Sequence, residues 1–440
     1  MVLIRNLRNI FFIPELARKL VFTLAVLIVY RIGSYIPAVG VDVVFLKQTL
    51  EHGSQVLGGV LSYLDMVSAG SLSRGMLFAL GISPYITASI IMQFMGFTVP
   101  YFEQLMKEGD YGYKIMNQYT RYLTLALSIS YSTGYAAALE AMGAVISPGF
   151  GFRFVFVLSL TVASMFIMWM GEQISLMGIG NGSSMLIFAS IVAQFPNDAI
   201  QTVNAVQTGS MHLFVAFFVL LFYLILTAAI VYLEKGERKI PVQYARRVVG
   251  RKVYGGQSSY IPFKINTSGV MPVIFASSFL QIPSILAGIL QWAGLFKGVA
   301  AAILSTGWRT SFLYNLLQFG LIVFFTYFYT ELVYNPVKLA DQMKKSGGFV
   351  PGIRPGKSTA DFFYYILTRV GLLGALYLGF LSVLPNLMYR FVYMPFFLTG
   401  TSLLIAVGVA LEFASQVESY LIERRYEGFL SAGRMKNKVQ

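Results

Sequence analysis

Apolar residues in this chain gather in long runs, not at the intervals of an amphipathic helix or a half-buried strand. Ten windows read as candidate spans: 20–37, 76–98, 119–139, 154–172, 182–197, 211–233, 268–290, 312–334, 361–384 and 395–418. A hydrocarbon core of about 30 Å takes about 20 helical residues to cross. Backbone polar groups inside lipid find partners only within the segment itself, so helix is the default for each window. One stretch, LGGVLSYLDMVSAGSLSRGM at 57–76, belongs to neither class. Asp65, Arg74 and its serines make it too polar to span, yet it is too apolar for an ordinary loop.

Charge tests the count. With ten spans and an inner N-terminus, the segments 1–19, 97–121, 234–264, 336–357 and the tail from 424 fall inside. Together they hold 25 of the 33 Lys and Arg residues. The outer segments hold seven, and Arg369 lies within the ninth span. That asymmetry is what the positive-inside rule demands, and one helix more or fewer would scramble it. Ten spans also divide into five and five around an outer loop near 197–210, and an odd number per half permits an inverted repeat. The expected organisation is a cytoplasmic amphipathic N-terminal helix over 1–19, a first half over 20–197, a second half over 198–418 with basic cytoplasmic loops at 234–264 and 336–360, and a cytoplasmic tail over 419–440.

Composition agrees with a polytopic, all-α membrane protein. Of 440 residues, 56% are hydrophobic and 12% charged, and mean hydropathy is +0.68. No cysteine is present, which excludes disulfides. The first 20 residues carry basic residues without a small-residue cleavage site and read as retained at the cytoplasmic surface.

An enzyme is disfavoured on inventory. Histidine occurs only at His52 and His212, no HExxH or GxxxxGK[ST] pattern is present, and no metal or cofactor set is visible. Charges inside the spans are Glu172, Glu331, Glu412, Glu418, Arg31 and Arg369. The acids lie in the inner third of their helices, where such groups snorkel or pair more often than they relay protons. Uncharged polar residues lie deeper: Ser83, Thr87, Ser89 and Gln93, then Thr124 and Ser128, then Thr267, Ser268, Ser277, Ser278 and Gln281, then Asn315 and Gln318. They read equally as interhelical hydrogen bonding or as a seam that opens. The inner loops KGERKIPVQYARRVVGRKVYGGQSSYIPFK and NPVKLADQMKKSGGFVPGIRPGKS are long and basic. Prolines and glycines around Arg354 point to a shaped tip that docks an anionic macromolecule in preference to featureless anionic lipid.

Seven motifs carry a resemblance to a known family: ALGISPYITASIIMQ (79–93), KEGDYGYKIMNQYTRY (107–122), MGEQISLMGIGNGSS (170–184), ERKIPVQYARR (237–247), SGVMPVIFASS (268–278), NPVKLADQMKKSGGFVPGIRPG (335–356) and PFFLTGTSLLI (395–405). In this order they resemble the SecY family, the channel subunits of the bacterial Sec translocon. The resemblance implies ten helices in two pseudosymmetric inverted halves around an hourglass pore. It implies a re-entrant plug at 60–74, including Leu61, Leu64, Asp65, Met66, Ser71 and Arg74, with Gly58, Gly59 and Gly70 as hinges. A pore ring falls on Ile82, Ile86, Ile187, Ile191, Ile274, Phe279 and Ile405. A lateral gate falls between the second and third spans and the seventh and eighth, with Ser83, Thr87, Gln93, Thr124, Ser128, Asn266, Thr267, Ser277, Ser278, Gln281, Asn315 and Gln318. Docking of the ribosome and the SecA motor falls on Arg246, Arg247, Arg251, Lys252, Lys344, Lys345 and Arg354.

The family further implies SecE and SecG subunits, substrates bearing signal sequences, no cofactor, and a multi-pass place in the cytoplasmic membrane with both termini inside. Anionic lipids are expected as surroundings. One departure is the loop around Tyr113, which is less basic than the family pattern. The function implied is a protein-conducting channel that passes unfolded secretory chains outward and releases apolar segments sideways into lipid. Two alternatives stay open on the residues alone, a secondary transporter with inverted repeats and a membrane scaffold that recruits a cytoplasmic partner.

Overall fold

The computed structural model describes residues 13–46, 68, 70–244, 247–249, 252–254, 258–280, 311–391 and 399–436. Helix dominates. In chain order the helices are α1 Pro14–Gly33, α2 Ser83–Thr98, α3 Pro100–Lys107, α4 Asp110–Met142, α5 Phe150–Met177, α6 Gly182–Gln207 and α7 Leu213–Lys235. They continue with α8 Met271–Leu280, α9 Phe312–Val333, α10 Pro336–Lys345, α11 Lys357–Phe391 and α12 Gly400–Lys436. Among the described residues, five helical stretches are long and apolar enough to cross a membrane: 150–177, 213–235, 312–345, 357–388 and 400–423.

Proline opens α1, α2, α3 and α10, where its missing N–H costs the helix nothing. Two boundaries differ from the sequence windows for this kind of reason. Residues 14–19 are the first turns of α1, and residues 1–12 of the expected N-terminal helix lie outside the described residues. The second window starts at 76, but its helix starts only at Ser83, because Gly75 and Gly81 take positive φ of 64° and 54° and hold the chain in turns.

The expectation of an all-α chain needs correction in the two long basic loops. Strand β1 (Glu237–Tyr244) pairs antiparallel with β4 (Ser258–Lys264) and, on its other edge, with β5 (Gly348–Phe349). A hairpin of β2 (Arg247–Val249) and β3 (Lys252–Tyr254) lies between them in sequence. In β1 the buried residues are Ile240 and Val242, with Lys239, Pro241 and Gln243 exposed, which is strand periodicity. These strands lie outside the apolar windows, so the rule that forces helix in lipid does not reach them.

The described residues fall into two compact units. One holds those up to 201 and those from 409 onward, and the other holds 202–280 and 309–408. In the first unit, Tyr135, Ala136 and Leu139 of α4 pack with Phe156 and Leu160 of α5 and with Leu72, Ala79 and Leu80. In the second, Ile240, Val242 and Phe263 of the sheet share a core with Met343 of α10, Val350, and Phe363 and Ile366 of α11. That core welds the two basic loops into one body. Gly348 is part of the weld, since a Cβ there would lie 3.1 to 3.2 Å from Tyr244, Met343 and Val242.

Candidate functional site

The seven isoleucine and phenylalanine positions divide between the units. Ile82, Ile86, Ile187 and Ile191 lie in the first, Ile82 as the N-cap of α2 with Ile86 four residues on in the helix, and Ile187 and Ile191 four apart on one face of α6. Ile82, Ile187 and Ile191 are buried and Ile86 is half-buried. Gly171 of α5 lies beside Ile82 and Leu186, since a Cβ there would be in ordinary contact with both at 3.5 Å. Ile274, Phe279 and Ile405 lie in the second unit. Ile274 and Ile405 are buried, and the exposed Phe279 ring packs on Phe325 at 5.4 Å between centroids.

The polar gate candidates behave in two ways. On α4, the hydroxyl of Thr124 donates to the Thr120 carbonyl and that of Ser128 to the Thr124 carbonyl, each at 2.7 Å. Thr120 and Ser132 repeat the pattern above and below, so the face is small and closed on itself. On α2, Thr87 donates to the Ser83 carbonyl, Gln93 reaches Ser89, and the buried Ser83 hydroxyl has no partner among the described residues.

In the second unit the polar groups bridge helices. Asn386 Nδ2 of α11 donates to Asn315 Oδ1 and to Gln318 Oε1 of α9, both at 3.1 Å. Gln318 Nε2 donates to Ser382 Oγ at 2.7 Å, and Asn315 Nδ2 donates to the Ser311 carbonyl. All four side chains are buried. Pro385 sits inside α11 at this level and cannot donate to the Leu381 carbonyl. Gly400, which opens α12, lies against that break: a Cβ there would fall 2.4 Å from the carbonyl oxygens of both Leu381 and Ser382. Elsewhere in this unit, the Thr267 and Thr330 hydroxyls are hydrogen-bonded at 3.0 Å, Asn266 Nδ2 donates to Glu234, and Ser268 donates to Asn266. Ser277 donates to the Ile274 carbonyl, Ser278 is buried, and Gln281 lies outside the described residues. The sequence reading lacks Ser382 and Asn386. The signal for them is a Ser and an Asn four apart around a proline in an apolar helix.

Of the docking set, Lys344 and Lys345 close α10 and Arg354 is exposed, its carbonyl accepting from Thr359 Oγ1. Arg247 and Lys252 belong to β2 and β3, paired with Tyr254 and Val249. Arg246 and Arg251 lie outside the described residues. Of the plug set, Leu61, Leu64, Asp65 and Met66 also lie outside them. Ser71 is buried and donates to the Ser34 carbonyl, Tyr135 donates to the Leu72 carbonyl, and Arg74 stands 6.0 Å from the Tyr35 ring centre.

Some of the charged groups have partners. Arg121 binds Glu172 through two hydrogen bonds of 2.9 and 2.7 Å, and Arg369 lies 4.3 Å from the Tyr365 ring centre. At the C-terminal end of α4, the Arg153 guanidinium bound to Glu140 holds that carboxyl below its usual range. Asp198, just past the fifth apolar window, is pushed up to about 6 by burial. Among the described residues no group of three or more His, Cys, Asp or Glu is placed to hold a metal.

A helical membrane protein of the protein-conducting channel fold is what this arrangement matches among solved structures. A SecY protein whose plug domain stabilises the closed state of the translocation channel and maintains a membrane seal superposes with TM-score 0.63, at 16% identity and 92% coverage of both chains. Sec61 in the canine ribosome–channel complex from the endoplasmic reticulum gives 0.62, at 17% identity and 92% coverage of both. These two likenesses are of fold. In sequence, residues 76–414 match the SecY family. The protein translocase subunit SecY of Escherichia coli K12 is 43% identical over 435 residues, covering 96% of this chain and 95% of that one. The chain belongs to the SecY family.

Proposed function

We propose that this chain is the protein-conducting channel of a translocase, passing unfolded secretory polypeptides across a membrane and releasing apolar segments sideways into lipid. The observation that carries this is identity of 43% to a protein translocase subunit across 96% of the chain. The transporter and scaffold readings have no comparable support.

In the finer reading, ten spans form two inverted halves in the cytoplasmic membrane, with both termini inside. The isoleucines on α2, α6, α8 and α12, with Phe279, form an hourglass constriction. An apolar ring suits that role because it disfavours water and ions when idle and offers a passing chain no fixed charge. Segment 60–74 is the plug, and the fixed contacts of Ser71 and Leu72 are its attachment to the wall. The lateral gate runs between α2 and α4 on one side and α8 and α9 on the other. The basic body built from the sheet, α10 and Arg354 docks the ribosome, whose phosphates suit it, and the SecA motor. SecE and SecG complete the channel. The chain performs no chemistry.

Reconstitution tests this. Vesicles holding the chain with SecE, SecG and SecA should carry an added signal-bearing precursor into a protease-protected state when ATP is present, and Arg354→Glu should abolish protection while the chain still inserts. Full protection with the variant overturns the docking role, and no protection with the unaltered chain overturns the channel.

A further inference from the structure

Helices α4 and α5 are antiparallel neighbours in the first unit, joined at both ends by an ion pair. Arg121 binds Glu172 at one end and Arg153 binds Glu140 at the other. On α4 the two charges are 19 residues apart, and on α5 they are 19 apart as well. At 1.5 Å per residue each interval is about 28 Å, close to the hydrocarbon thickness of about 30 Å. α4 has 33 residues, so about a third of it lies beyond the inner pair.

Aromatic residues gather at the level of that inner pair. Tyr119 and Tyr122 flank Arg121, Tyr122 with 71% of its surface exposed. Tyr101 of α3 packs edge-on against Phe102, which packs edge-on against Tyr119. Above them the exposed face continues through Leu125 and Ile129, both apolar, at the spacing that keeps one helix face. The neighbouring charges are balanced locally, Lys107 against Glu103 and Arg121 against Glu172. A charge-balanced aromatic face has nothing to offer RNA or an acidic protein, whereas amphipathic rings favour the boundary between hydrocarbon and headgroups.

We propose that the two ion pairs mark the membrane boundaries of the first unit and that Tyr101, Tyr119 and Tyr122 form a contact site for inner-leaflet phospholipid at the glycerol and headgroup level. Tyr111, ten residues before Arg121 and so about 15 Å further along the helix, stands past this layer in water. The surface rests on the membrane-spanning part of the proposed function and not on channel activity.

Depth-resolved fluorescence of the full chain in vesicles of phosphatidylethanolamine and phosphatidylglycerol tests it. Trp169, Trp292 and Trp308 are replaced by Phe, and Ile129→Trp, Tyr122→Trp and Tyr111→Trp are made singly. Brominated acyl chains should quench Ile129→Trp most. Tyr122→Trp should be quenched by bromine near the headgroup and several-fold less by aqueous iodide than Tyr111→Trp. Equal iodide quenching of Tyr122→Trp and Tyr111→Trp overturns the lipid site and makes this face a surface for a soluble partner. Iodide quenching of Ile129→Trp as well overturns the membrane reading itself. Tyr119→Trp gives the same reading at the same level if Tyr122→Trp does not accumulate.

Discussion

The buried polar residues of α4 and those of α9 with α11 look alike in sequence and work differently. On α4, Thr120, Thr124, Ser128 and Ser132 each donate to the carbonyl four residues back. No neighbour is needed to satisfy them, so the face they make is smooth and can part from another helix without stranding a donor. On α9 and α11, Asn315, Gln318, Ser382 and Asn386 hydrogen-bond one another across the helix pair, with Asn386 Oδ1 alone lacking a partner among the described residues. Separating those helices in lipid would leave carboxamides unpaired, so this pair moves as one. A channel that opens sideways needs both kinds of surface, one that parts cheaply and one that does not.

The largest effect expected is at Asn386. Asn386→Leu removes the donor for both Asn315 Oδ1 and Gln318 Oε1 and should cost about 2 to 6 kcal/mol, taking about 1 to 3 for each buried acceptor that loses it. The thermal midpoint of the purified chain in nonionic detergent should fall clearly, and an unchanged midpoint would show that the α9–α11 network is not holding the pair together. Gly400→Ala should come next, at about 1 to 3 kcal/mol. Its Cβ would meet two backbone oxygens that cannot rotate away, so α12 must shift at its start, and a midpoint equal to that of the unaltered chain would mean the joint at Pro385 is looser than described. Ser128→Ala should be smallest, within about 0.5 kcal/mol, since the lost hydrogen bond is internal to its helix and alanine is the better helix former. A loss as large as that of Asn386→Leu would erase the contrast between the two surfaces.

The apolar windows made most helices legible, because length and hydropathy are set by lipid and need no knowledge of partners. The deep polar residues stood out in the windows, but not what they bond. Asn315 and Gln318 stand out in the eighth window, while their partner Asn386 lies past the end of the ninth, beyond Pro385, where a helix reads as finished. The sheet was hidden for a different reason. Ile240 and Val242 alternate over only a few residues, and β5 comes from a loop about a hundred residues further on, a pairing that local periodicity cannot carry. Around Arg354, by contrast, the glycines did signal a shaped tip: Gly352 and Gly356 take φ of 81° and 109°.

The central claim is that a polypeptide passes the isoleucine ring, and the absence of native cysteine makes it directly testable. Single cysteines at Ile82, Ile86, Ile191, Ile274 and Ile405 would each be challenged with a translocating chain stalled partway and bearing one cysteine of its own. The account predicts disulfide cross-links to the stalled chain from all five positions, and none when translocation is not started. Cross-links from exposed positions such as Leu125 and Ile129, with none from these five, would contradict it.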